Sequence, residues 1–322
     1  MKPIVQCVPN FSEGRDMATI EAIVAPLKNK PGFSCASVEP DKDYNRTVVT
    51  LIGDPEAMFE PLLEAISQAT ERIDMNHQKG EHPRMGATDV VPFIPIADIT
   101  MDACVSIAHR FGEQLAKTLN VPVFAYAEAA KQKGRVKLPK IRKGEYEGMA
   151  EKLEDPAWTP DFGPNKPHLT AGVTAVGARM PLIAYNIDLM TENLDVAKRI
   201  AKAIRGSSGG FKHIQAGPVH LAERGHTQVT MNILNDIQNP IYRIFETVRM
   251  EARRDLVEVP SAEIVGLVPK ATLIRSLRYY LACENIDFDE ATLSLETLTE
   301  LAIKWLKLRD FTVEKIIEAH VK

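Results

Sequence analysis

The densest chemistry in the sequence is the run Glu81-His82-Pro83-Arg84-Met85-Gly86-Ala87-Thr88-Asp89, which gathers an imidazole, a guanidinium and two carboxylates. His82 is the natural proton carrier there, because an imidazole with an unperturbed pKa of about 6.5 takes up and returns a proton at neutral pH. A lone loop histidine more often has no role; it is the company of Arg84 and the two acids that favours a functional one. Pro83 and Gly86 fix and bend the backbone around it. Two further polar clusters stand at strand ends: Asn10-Phe11-Ser12-Glu13-Gly14-Arg15-Asp16, and Glu39-Pro40-Asp41-Lys42-Asp43-Tyr44-Asn45-Arg46. Helix capping by Ser12 or Asp16 and an Asx-type turn at Asn45 account for part of them. Those roles account less well for three acids and Arg46 crowded into one turn.

Other chemistries find little support. The sequence holds no Walker A motif, no GxGxxG after a strand, no HExxH and no GxSxG. The GSSGG run at 206–210 follows a helical pattern, where it reads as a helix terminator rather than a phosphate loop. The pairs His77/His82 and His220/His226 are spaced so that neither puts two imidazoles on one helical face, and no cysteine stands nearby, so no metal site is expected.

The elements that position these clusters follow from periodicity. Ile4–Val8 reads as a strand, residues 16–28 as a helix, Phe33–Glu39 and Arg46–Ile52 as strands, residues 54–74 as a helix with Phe59, Leu62, Leu63, Ile66 and Ala69 on one face, and Val90–Ile96 as a strand. The order is β-α-β-β-α-β. The second half repeats it: a strand at 179–188, a helix from Thr191 to Arg205, strands at 211–222 and 227–234, a helix from about 240 to 254, and a strand at 263–268. This is the pattern of a duplicated split βαβ unit. Between the halves come a helix at 101–119 and the strand VPVFAYA. A stretch with seven Lys or Arg and no acid follows at 131–143, and then the Pro- and Gly-rich loop WTPDFGPNKPHLTAG. The basic stretch is either a solvated linker or the rim of an anion site. The sequence from residue 291 onward reads as two more helices.

Composition sets the outer bounds. The chain has 322 residues, 45% hydrophobic and 25% charged, with a net charge of −4. That suits about two globular domains and disfavours a nucleic-acid binder. The four widely separated cysteines read as reduced, buried thiols. The apolar run at 90–97 is far short of the roughly 20 residues of a membrane helix, and the first residues lack a signal-peptide core. A cytoplasmic protein is expected.

Six stretches taken together resemble one family, glutamate formimidoyltransferase: CVPNFSEGRD at 7–16, YNRTVVTLIGDP at 44–55, EHPRMGATDVVPFIPI at 81–96, LPKIRKGEYEGM at 138–149, DFGPNKPHLTAGVTAVGARMPLIAYNIDL at 161–189 and VGLVP at 265–269. The resemblance implies an α+β fold of two ferredoxin-like (βαββαβ) subdomains, with antiparallel sheets facing each other and helices outside. Their boundary is expected between residues 178 and 179. It also implies a homodimer, and a folate site between the sheets. The implied reaction moves a formimino group from N-formimino-L-glutamate to N5 of tetrahydrofolate, the co-substrate, with no metal. By motif, the family's catalytic histidine is His82. The folate loop is Gly163, Pro164, Asn165, Lys166, Pro167, His168, Leu169, Thr170, Ala171 and Gly172, where mammalian members have tryptophan in place of Ala171. The acid at the end of the second strand is Glu39, with Asp41 and Asp43 as rivals. In animals the domain is fused to a cyclodeaminase; this sequence reads as the stand-alone form.

The implied chemistry suits the residues. N5 is an unprotonated amine that must shed a proton as it bonds to the amidine carbon, and the glutamate nitrogen must gain one to leave. One histidine can do both in turn. A carboxylate such as Glu39 favours the cationic formamidinium. Arg84 or Arg46 offers a two-pronged donor for a substrate carboxylate, with Asn10, Ser12 and Asn45 beside it. The glutamate tail of a folate, one unit or several, would suit the basic stretch. The alternatives are formyl transfer or rearrangement on 5-formyltetrahydrofolate by the same fold, a non-catalytic RNA or ligand module, and a metal hydrolase using His77 and His82. Aromatics at 6% and a negative net charge weigh against the RNA module.

Overall fold

The computed structural model describes residues 3–321 except Asp43, Glu81, His82, Ala222, Glu223, Phe288 and Ala291. Two residues singled out above, His82 and Asp43, therefore lie outside the described residues. The chain divides into two compact units between Arg179 and Met180.

The first unit runs β1 (Ile4–Cys7), β2 (Asn10–Phe11), α1 (Met17–Val24), β3 (Phe33–Asp41), β4 (Arg46–Gly53), α2 (Pro55–Arg72), β5 (Thr88–Ala97), α3 (Met101–Leu119), β6 (Val123–Ala127), α4 (Leu138–Arg142), α5 (Met149–Lys152) and β7 (Thr174–Ala178). Local sequence sets the helix ends. The Asp54 carboxylate accepts from Glu56 N and Pro55 opens α2, while the Thr100 hydroxyl accepts from Ala103 N at the start of α3. Asn120, in the left-handed region at φ 54°, closes α3. Met58, Phe59, Leu62, Leu63, Ile66 and Ala69 form the buried stripe of α2. Phe111 of α3 meets Phe59 and Phe93 edge-on, at 5.3 and 5.6 Å between ring centroids.

Strands β3, β4, the β1–β2 pair and β5 lie side by side, all antiparallel. This is the order of a split βαβ sheet. Beyond β5 the sheet goes on in a way the periodicity did not show: β7 pairs with β5 and β6 with β7, both parallel. Parallel neighbours need a crossover, and α3, which packs on all three of these strands, provides it between β5 and β6. The first sheet is thus mixed, an antiparallel core with a parallel extension. The TAVGA strand at β7 was not foreseen; small residues flanked by Gly and Pro carry little strand signal.

The second unit runs β8 (Ile183–Leu189), α6 (Leu194–Ile204), β9 (Ile214–Leu221), β10 (His226–Ile233), α7 (Ile241–Arg253), β11 (Ala262–Val265), α8 (Lys270–Cys283) and α9 (Leu295–Leu306). Its sheet, β11-β8-β10-β9, is antiparallel throughout and has the same relative strand order as the core of the first. Helices α6 and α7 cover one face through Val196, Ile200, Ile204, Ile244, Phe245 and Val248, and α8 and α9 pack outside α7. The expectation of two helices after residue 291 needs correcting. One, α8, comes earlier, and α9 is followed among the described residues by short 3-10 turns at 313–315 and 317–320. All four cysteines are free, but only Cys7 and Cys104 are buried; Cys35 is half-buried and Cys283 exposed.

Candidate active site

The site is built where loops of the first unit cross. Gly86 and Gly172 form an isolated antiparallel bridge, with Ala87 N donating to Ala171 O (2.9 Å) and Val173 N to Met85 O (3.0 Å). The backbones approach so closely that a Cβ on Gly86 would lie 2.1 Å from Val173 O, and one on Gly172, at φ +67°, 2.3 Å from Met85 O. The loop that contains His82 in sequence is thereby joined to the loop at 163–172.

The end of β2 braces the same loop. Ser12, predicted as a helix cap or substrate ligand, donates its hydroxyl to Gly86 O (2.7 Å), and Asp16 caps α1 instead, accepting from Ala18 N (3.0 Å). Glu13, buried, accepts from Arg15 N, Asp16 N and Gln78 Nε2. Asn45 accepts from Gly14 N (2.9 Å) and donates to Lys79 O (3.1 Å) from a left-handed backbone at φ 48°. Asn10 donates to Val8 O (2.9 Å). Ser12, Asn45, Arg46, Arg84 and Asp89 line one small cavity of about 10 Å³ together with Gln78 and Lys79. Four of the predicted residues are thus brought together.

Asp89 is the buried hub of this cluster. One carboxylate oxygen accepts from Met85 N (3.0 Å) and the other pairs with Arg142 of α4. Burial raises its pKa, against the opposing pull of Arg142 and Arg46. Arg46 lies near both Asp89 and Arg142; burial, and then the charge of Arg142, lowers its pKa. The basic stretch is accordingly more than a solvated linker. Arg142 holds Asp89, and Arg135 is buried against Asp161 (3.2 Å) and over the ring of Phe124. Lys133, Lys137, Lys140 and Lys143 remain exposed.

Glu147, which pairs with Arg84 (2.7 Å), lines both of two larger cavities. One, about 480 Å³, is lined by Lys79, Gly80, Arg84, Gly144, Glu145 and Glu147. The other, about 650 Å³, shares Glu147 and is walled by Tyr146, Asn76 and four residues of the predicted folate loop, Lys166, Pro167, His168 and Leu169. In that loop His168 N and Gly172 N bond to each other's carbonyls, and His168 Nδ1 accepts from Ala171 N (3.1 Å). Leu169 is 87% exposed at its tip, a large apolar side chain with one face to offer a ligand. Gly163 bends the loop at φ +87°, and Ala171 is buried in the core.

Glu39 is exposed on β3, Cα-paired with Val48, which in turn pairs with Asn10. It therefore projects from the sheet face that carries Asn10, but it does not line these cavities. Asp41 accepts from Tyr44 N (2.8 Å) in an Asx turn. Among the described residues no group of three or more His, Cys, Asp or Glu side chains is placed to hold a metal ion. Sequence reasoning did not single out Gln78, Arg142, Glu145, Tyr146 or Glu147. Gln78 stands just ahead of Arg84 in sequence, whereas Arg142, at the end of α4, and Glu145, Tyr146 and Glu147 after it come from far beyond; those four fall inside the stretch LPKIRKGEYEGM, and Arg142 also inside the basic stretch at 131–143.

Two split βαβ units, the first holding a polar cluster and a ligand-sized groove, define a two-subdomain α+β protein with room for a small molecule. Comparison with known proteins narrows the class. The formiminotransferase domain model for the N-terminal subdomain matches residues 4–179, and the formiminotransferase domain model matches residues 184–322. The chain belongs to the formiminotransferase family. It is 47% identical to glutamate formimidoyltransferase of Streptococcus pyogenes over 91% of this chain and 98% of that protein. Identity to the Thermoplasma acidophilum glutamate formimidoyltransferase is 40%, over 88% and 94% of the two chains. The formimidoyltransferase-cyclodeaminase of Gallus gallus is 42% identical over 89% of this chain but only 54% of its own length.

Proposed function

We propose that this chain transfers the formimino group of N-formimino-L-glutamate to N5 of tetrahydrofolate, giving L-glutamate and 5-formiminotetrahydrofolate. The observation that carries the reading is near-full-length similarity to proteins named glutamate formimidoyltransferase, at 47% and 40% identity. The groove supports it on chemical grounds. Its volume of about 650 Å³ suits a folate-sized ligand, and Leu169 offers an apolar surface to a pterin or aryl ring. Lys166 adds a cation for an acidic tail.

In this reading the loop Gly163–Gly172 binds the folate, and Arg46 with Ser12, Asn45 and Asn10 forms the end that receives the amino-acid part of formiminoglutamate. His82 removes the proton from N5 as the new C–N bond forms, then returns it to the departing glutamate nitrogen. The sp³ adduct between these steps collapses when its bond to the glutamate nitrogen breaks, so no net proton is gained or lost. Glu39, the acid that the family pattern implies, stabilises the cationic formamidinium. Tetrahydrofolate is a co-substrate, not a resident cofactor, and the chemistry calls for no metal. We further propose that the enzyme is a cytoplasmic homodimer that serves histidine breakdown. Among the described residues no helix is long and apolar enough to cross a membrane.

The test is turnover by the purified chain on the two substrates, followed by the ultraviolet change of the folate product. Product formation is expected, and its absence at every enzyme concentration contradicts the reading.

A further inference from the structure

We propose that Arg84 is a positioning residue for this reaction and not a ligand for a substrate carboxylate. The inference rests on the reading above, in which His82, two residues upstream in sequence, moves the proton. A guanidinium has five N–H donors, and four of those on Arg84 are spoken for. Nη1 donates to Glu145 Oε2 (2.7 Å) and Glu147 Oε2 (3.0 Å), and Nη2 to Glu147 Oε1 (2.7 Å) and Gln78 O (2.8 Å). The fifth, Nε, is buried with no hydrogen-bond partner among the described residues. A substrate carboxylate would have to displace a two-pronged carboxylate already in place, on a side chain only 13% exposed.

What the clamp holds is visible in the backbone. Arg84 O accepts from Tyr146 N (2.9 Å), between the two glutamates. The Tyr146 hydroxyl lies 2.8 Å from Leu169 O and 2.9 Å from Asn76 Oδ1. One turn, Glu145-Tyr146-Glu147, thus ties the loop bearing Arg84 to the wall of the groove at Leu169. Both ligands must meet within about an ångström of the productive geometry, and misplacement on that scale costs rate rather than binding.

The test compares Arg84→Gln with the double variant Glu145→Gln/Glu147→Gln in the full chain. It measures kcat, KM for formiminoglutamate and equilibrium binding of tetrahydrofolate. Glu145 and Glu147 are 42% and 63% exposed, so the double variant opens no buried hole and stays informative if Arg84→Gln fails to fold. Both variants are expected to lose kcat by about 10–100-fold, with KM for formiminoglutamate and folate affinity within about threefold of the parent. A rise in that KM of more than about tenfold with kcat retained in Arg84→Gln would make Arg84 a substrate ligand. Parent-level kcat in the double variant would likewise overturn the clamp. His82→Ala separates the two failures. If it is inactive while the double variant is normal, only the clamp is wrong; if it is active, the mechanism beneath it is wrong.

Discussion

Proton traffic at one nitrogen decides the residue scale. N5 of the folate must shed a proton as it bonds to the formimino carbon, and the glutamate nitrogen must collect one to leave. Removing the carrier should therefore slow chemistry without loosening the ligands. His82→Ala is expected to lower kcat by about 10²–10⁴-fold while folate binding is retained; near-normal turnover in that variant would take His82 out of the mechanism. Four of the candidate residues were legible as polar groups crowded at strand ends. Ser12, Asn45, Arg46 and Arg84 do converge on one cavity. Their individual roles were less legible. Ser12 reads as a helix cap in sequence, yet it bonds Gly86 O, and the carboxylate partners of Arg84 stand 61 and 63 residues away. Nothing local in a sequence reports a contact that the folded topology alone creates.

At the scale of elements, the loop crossing at Gly86 and Gly172 joins two segments that the sequence separates widely. A methyl group on Gly86 would strike backbone oxygens of Val173 and Ala171, which cannot swing aside as a side chain would. Gly86→Ala is expected to cost about 1–3 kcal/mol, read from the denaturant midpoint, and to lower kcat. Unchanged stability and rate would mean that the crossing is slack. In the second unit, Asp188 of β8 plays a comparable bracing part. Burial raises its pKa, but hydrogen bonds from Ser261 (2.7 Å), Gln228 (2.7 Å) and Arg309 (3.0 Å) outweigh that and hold the carboxyl below its ordinary value. A depressed carboxyl stabilises the fold fully above its unfolded value of about 3.9 and progressively loses that effect as pH falls through the folded one. Asp188→Asn should therefore cost about 1–3 kcal/mol at neutral pH and flatten the decline of stability below about pH 4. An equally steep decline in the variant would shift that role to other acids.

Across the whole molecule, the repeated β-α-β-β-α-β order was legible because both copies alternate apolar strands with amphipathic helices. Both sheets have the corresponding strand order. What distinguishes the units was not legible. The first extends its sheet with the parallel strands β7 and β6, and the second adds α8 and α9 outside its helical layer. The short, small-residue strand β7 has little periodicity to read. The bulk charge of −4 likewise hid the way Arg46 and Arg142 gather around one buried acid. The central claim, group transfer between two anionic ligands, is tested most directly by labelling the atom that moves. The intact chain would be mixed with tetrahydrofolate and formiminoglutamate carrying ¹³C at the formimino carbon, and the label followed by NMR. The label should appear on N5 of the folate, one equivalent for each glutamate released. Glutamate released with the label in free formamide or formate, or a label that never leaves formiminoglutamate, would contradict transfer.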